Sequence, residues 1–131
     1  MKYDFYKVLL YCFFENLWNR NNIKMANLFF DENIILSYES YKIKGIRAFL
    51  IFKAILKQKN IPTQQNIQFM LLQGDIALVR TCCSINNAIS YTMEIKFNQL
   101  KIKEILLIKN DKHLPKINSI KKGLQNDGTK E

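Results

Sequence analysis

The chain is 131 residues long, 48% hydrophobic and 12% aromatic, with a formal net charge of +9. That length and apolar content suit one domain with a core of its own and exclude an intrinsically disordered chain. The charge points first to nucleic acid or an acidic membrane surface, but only Arg20, Arg47 and Arg80 are arginine among 20 basic residues, and the lysines are scattered, so specific nucleic-acid binding is not expected.

Asp4 to Asn19 reads as the first helix. At 100° per residue, Phe5, Tyr6, Leu9, Leu10, Cys12, Phe13 and Leu17 share a broad apolar face, opposite a stripe of Asp4, Lys7, Tyr11 and Glu15. Trp18 falls at the edge of that stripe, with its N–H expected in water. The run Val8 to Phe14 behind Lys2 and Lys7 resembles a signal peptide superficially. Asp4 sits in the supposed basic region, and no small-residue cleavage site follows. No run approaches the roughly 18 apolar residues of a membrane span, so no membrane association is expected and the expected location is the cytoplasm.

Asn21 or Asn22 can cap a second short helix, Ile23 to Phe30, whose apolar face is Met25, Leu28 and Phe29. A strand from Asn33 to Glu39 and a short return strand, Tyr41 to Lys44, come next. Gly45 then gives turn freedom before a third helix, Ile46 to about Lys59, apolar over most of its circumference with Arg47, Lys53 and Lys57 as its polar marks. Asn60-Ile61-Pro62 ends it, because proline disfavours helix at the preceding residue.

From Gln65 the hydrophobic period changes to two. Asn66 to Gln73, a Gly74-Asp75 turn, and Ile76 to Ile85 form a hairpin. Asn86-Asn87 turns into Ala88 to Phe97, and Asn98-Gln99 into Leu100 to Lys109. Three helices followed by a meander predict an α+β fold in which the helices pack into the concave face of a curved, mostly antiparallel sheet. Residues 1–109 form that domain, and 110–131 are expected to be a basic, mobile tail. Cys12, Cys82 and Cys83 make an odd count without ligand spacing, and with a single histidine no metal site is expected. Reduced thiols are the simplest reading.

The element order, Leu28-Phe29-Phe30-Asp31-Glu32, Gly45 before the third helix, and Gly74-Asp75 before a strand together resemble the opening and hairpin of the nuclear-transport-factor-2-like superfamily. That cone-shaped fold also houses ketosteroid isomerase and the SnoaL-like polyketide cyclases. The isomerase branch implies a tyrosine on the first helix, a carboxylate base on the first strand and a protonated carboxyl on a late strand. Threading puts these places at Phe13, Ser37 and Met93, and none of those side chains can do the work. The dehydratase branch implies a His–Asp pair, but His113 lies beyond the last strand. The epoxide hydrolase branch implies an arginine and an aspartate after the Gly-Asp turn; Arg80 matches the first and Cys82 replaces the second.

The resemblance therefore implies a small-molecule-binding domain with an apolar cone cavity, lined by Phe13, Ser37, Arg80, Cys82 and Met93, and with no catalytic set and no cofactor. Arg80 could pair with a ligand's acidic group there. Simple alternation leaves the opposite orientation open, since Ala77, Val79, Thr81, Cys83 and Ile85 make the more apolar face of that strand. An enzyme with a rearranged site and a ligand-free interaction scaffold remain alternatives. The consecutive Leu106, Leu107 and Ile108 break the alternation of a one-sided sheet, and a homodimer through the outer sheet face follows as an expectation.

Overall fold

The computed structural model describes residues 2–61, 63–83 and 89–109. The expected tail, the Asn86-Asn87 turn, Pro62, Ser84 and His113 lie outside the described residues. Helix α1 runs Lys2–Cys12 and continues without a break as a π-helical segment, Phe13–Trp18. A 3-10 turn, Ile23–Met25, leads into α2, Ala26–Phe29, and another, Ile46–Ala48, leads into α3, Phe49–Gln58. The strands are β1 Phe30–Tyr38, β2 Tyr41–Lys44, β3 Gln65–Gln73, β4 Ile76–Cys83, β5 Ile89–Asn98 and β6 Lys101–Lys109.

The six strands among the described residues form one sheet in the order β2-β1-β6-β5-β4-β3. Every pairing is antiparallel except β1 with β6, which run parallel. The register shifts at four of these five seams, between β1 and β6, β3 and β4, β4 and β5, and β5 and β6. Such bulges bend strands and increase twist, and here they curve the sheet around the helices. The Gly74-Asp75 turn closes the β3–β4 hairpin with Gly74 at φ +61°, a left-handed backbone that glycine adopts without strain.

The core fills the concave side. Tyr6, Leu10, Phe13, Leu17 and Trp18 from the first helix meet Phe49, Phe52 and Leu56 from α3, and Ala77, Val79, Met93, Ile95, Ile105 and Leu107 from the sheet. The buried face of the first helix is narrower at its start than the periodicity predicts: Phe5 and Cys12 are exposed. It is wider at its end, because the π-turn changes the phase and brings Phe13, Phe14, Leu17 and Trp18 all inward. In α2 the expected apolar face also changes. Leu28 is exposed and Ala26 is buried in its place, and neither Asn21 nor Asn22 caps the helix with its side chain.

Two tyrosines tie α1 to the hairpin turns. The Tyr6 ring stacks on Phe97 with centroids 3.9 Å apart. Its hydroxyl lies 2.7 Å from the Gln99 carbonyl oxygen and 3.0 Å from Asp75 Oδ1. The Gly74 N–H donates to the Tyr3 hydroxyl at 2.9 Å.

Candidate functional site

Phe13 and Met93 both lie in the core, each fully buried. The space around the Phe13 ring is taken up by other rings: Phe14, Phe30, Trp18 and Phe29 have centroids 5.1, 5.6, 6.0 and 6.1 Å away. The other expected lining residues belong to a different face. Val79 pairs with Met93 and points inward, so Arg80, paired with Thr92, points outward. Cys82 follows Arg80 on that side by alternation. In β1, Leu36 and Tyr38 pair with the buried Ile105 and Leu107, which leaves Ser37 beside Leu106 on the outer face.

The five residues expected to line one cavity are thus divided between two sides of the sheet, and the physical reason is the register. The apolar set Ala77, Val79, Thr81 and Cys83 takes the core side of β4, which turns Arg80 away from it. Among the described residues the Ser37 hydroxyl and the Arg80 Nε are buried without a hydrogen-bond partner.

Inside the cone, polar groups occur where the sequence reading did not place them. The Trp18 Nε1–H donates to the Tyr91 hydroxyl at 3.0 Å, so the indole N–H expected to stay in water is instead enclosed with its ring. Burial pushes the Tyr91 hydroxyl well above the ordinary tyrosine range. Thr81 Oγ1 donates to the Tyr91 carbonyl oxygen at 3.1 Å. Lys53, expected on the polar side of α3, is buried instead. Its ammonium donates to the Trp18 carbonyl oxygen and, at 2.8 Å, to Asn21 Oδ1, with Nζ 4.7 Å from the Trp18 ring centroid. Desolvation lowers its pKa from 10.5 to about 8. An indole donor and a tyrosine held protonated cannot exchange protons near neutral pH, so the Trp18–Tyr91 pair is a structural tie.

Helical and strand periodicity contained signals for both missed residues. Lys53 falls within the arc defined by Phe49, Phe52 and Leu56. Tyr91 alternates in step with Met93, Ile95 and Phe97.

Among the described residues, a large open concavity lies elsewhere, where the π-helical segment meets the start of β3. It is a groove of about 490 Å³ lined by Tyr11, Phe14, Glu15, Asn19, Arg20, Gln64, Gln65, Asn66 and Ile67. Its floor is fixed by the Asn19 side chain, which pairs with the Gln65 backbone as another strand would. Oδ1 accepts from Gln65 N–H at 2.8 Å, and Nδ2 donates to the Gln65 carbonyl oxygen at 2.7 Å. The Gln64 side-chain amide donates to the Asn19 carbonyl oxygen. Arg20 and Glu15 face each other across 3.9 Å at one wall, both well exposed. Aromatic faces, primary amides and one charge of each sign converge here.

No protein-family model matches the chain, and no curated protein matches it by sequence. Solved structures do match. An NTF-2 like protein of unknown function from Burkholderia xenovorans superposes with a TM-score of 0.65 at 12% identity, covering 92% of this chain and 94% of that one. The chain has the NTF2-like fold. Another NTF2-like protein of unknown function, from Cytophaga hutchinsonii, gives a TM-score of 0.59 at 12% identity, with 78% and 87% covered. A de novo designed protein with a curved β-sheet gives 0.64 at 13% identity, with 84% and 88% covered. At these identities the NTF2-like likeness concerns the fold alone. A designed backbone among the matches underlines that the cone stands on packing, whatever its site does.

Proposed function

We propose that this NTF2-like domain is a non-catalytic binding module for a small amphipathic molecule. The bound molecule sits in the groove between the π-helical segment and β3, at the margin of the cone. The observation that carries this reading is the division of the molecule into a ring-filled interior and an open, mixed groove. A ligand there can lay an apolar portion on Tyr11 and Phe14 and use its polar portion on the amides of Gln64 and Asn66 or on Arg20. Burial of apolar ligand area on those rings contributes roughly 25 cal/mol per Å², and the convergent polar groups set orientation.

Trp18 is the single tryptophan, and its ring centroid is 6.1 Å from that of Phe14, so it reports on the groove. A panel of medium-chain carboxylates, aromatic amides and steroids, titrated against Trp18 fluorescence, should contain members that bind saturably. Tyr11→Ala and Gln64→Ala, both at exposed positions, should weaken that binding about tenfold or more while leaving the melting temperature nearly unchanged. Saturable binding that is indifferent to both substitutions would place the ligand elsewhere and overturn the proposal.

A further inference from the structure

We infer that the free edge of β3 is a pairing surface for a second copy of this chain, joining the two sheets edge to edge about a twofold axis. The sheet has two ends of opposite character. β2 is four residues long and carries Lys42 and Lys44, and shortness and like charge are two means by which an edge refuses another strand. β3 is nine residues, QNIQFMLLQ, with no charge, proline or glycine. Ile67, Met70 and Leu72 pack partly against the core, while Phe69 and Leu71 stand on the outer side, 39% and 54% exposed. A strand apolar on both faces has the composition of a sheet interior, yet among the described residues β3 has a neighbouring strand on one side only.

The backbone says which part of this edge is open. In antiparallel pairs, residues whose N–H and C=O groups face the neighbour alternate with residues whose groups face away. The two-residue turn at Gly74-Asp75 makes Gln73 and Ile76 a bonded pair. Leu71 and Phe69 are then turned toward β4, and Leu72 and Met70 direct their groups away from it. At the far end the Asn19 amide already closes the edge at Gln65. Among the described residues no backbone bond reaches the outward groups of Met70 or Leu72. A twofold axis through Leu71 sets Met70 of each copy opposite the partner's Leu72, and the outward groups of both acquire partners.

Charge selects the occupant. At +9, copies of this chain repel one another over most approaches, and an uncharged edge is where that repulsion is weakest. An acidic foreign strand, the partner that a basic protein would otherwise attract, finds no cation on β3 itself.

The test uses the full chain carrying Ile108→Lys. Ile108 lies on β6, three strands from this edge, and the substitution removes any face-to-face contact through the outer sheet. Sedimentation from low to high micromolar should show a monomer–dimer equilibrium, and the amides of Met70 and Leu72 should exchange with deuterium more slowly at the higher concentration. Adding Leu71→Lys, at an exposed position, should weaken the dimer at least about tenfold, because two lysines meet at the axis. A monomer at every concentration would overturn the inference. So would a dimer whose Met70 and Leu72 amides exchange at a concentration-independent rate, or one that Leu71→Lys leaves intact.

Discussion

Lys53 and Tyr6 pull the stability of this domain in opposite directions as pH rises. Burial brings the Lys53 ammonium down from 10.5 to about 8. Between those values the unfolded chain holds the proton that the folded chain has lost, so stability climbs with pH across that window. The gain is at most about 3 kcal/mol, since the Trp18 carbonyl, Asn21 and the ring faces of Trp18 and Phe49 already favour the charged form. Lys53→Met should abolish that climb, which thermal melts at intervals between pH 7 and pH 10.5 would read; parallel profiles for variant and wild type would contradict it. Tyr6 has the other sign. Burial first, and Asp75 second, push its hydroxyl up to about 12. Its contribution is full below pH 10 and disappears as pH climbs through 12. Tyr6→Phe keeps the stack on Phe97 but removes the bond to Gln99, a loss of about 1 kcal/mol at neutral pH, measurable by urea unfolding.

At the scale of elements, the π-helical segment is what sets this chain's version of the cone apart from its periodicity. The Asn19 N–H donates to the Phe14 carbonyl oxygen five residues back, at 2.9 Å, and this extra residue in the turn swings Trp18 into the core and aims Asn19 at β3. Asn19→Ala should cost about 1–2 kcal/mol through its two lost bonds to a part-buried backbone. Chemical denaturation and faster exchange of the Gln65 amide would show it, whereas unaltered exchange there would mean that Asn19 does not hold the strand. This segment also marks where the sequence stopped being legible. The order of helices and strands, the Gly74-Asp75 turn and the meander follow from period and turn chemistry, and the structure bears them out to within a few residues at most boundaries. A π-turn leaves no trace in a 3.6-residue pattern, and that pattern puts Trp18 at the edge of the polar stripe with its N–H in water. The face assignment of β4 was legible too: the apolar alternation of Ala77, Val79, Thr81 and Cys83 outweighs the threading that would turn Arg80 inward. For Ser37 no such alternation exists, because Leu36, Ser37 and Tyr38 are all buried, and only pairing with β6 reveals its side.

For the whole molecule, the two sides of the sheet have separate roles. The inner side is closed by helices. The outer side carries Leu106 and Leu78, half-buried, with Ile76 and Ile108 exposed, around a Lys96–Glu104 ion pair at 3.8 Å. We propose this side as a face-to-face contact between copies, distinct from the β3 edge. Leu107, the middle residue of the apolar triplet that motivates it, faces the core. Chains carrying Leu71→Lys should therefore still associate, and adding Ile108→Lys should leave a monomer. Light scattering on the single and double variants decides between them, and an Ile108 substitution without effect removes the face contact. Among the described residues no helix is long and apolar enough to cross a membrane.

The parallel seam between β1 and β6 has a consequence for how the molecule comes into being. β6 is synthesised long after β1 and after β5, yet it lies between them. While the ribosome is still making the strands before β6, the sheet can exist only as two fragments, the β1–β2 hairpin and the β3–β5 meander, each with an apolar border that β6 will later cover. Closing the seam joins residues as far apart as Phe30 and Ile102, a long loop whose entropy must be surrendered late. Refolding followed by pulsed hydrogen exchange should protect β4 and β5 amides before those of β1. In the cell, the nascent chain is then most exposed to aggregation just before β6 emerges, which is when a chaperone would matter most.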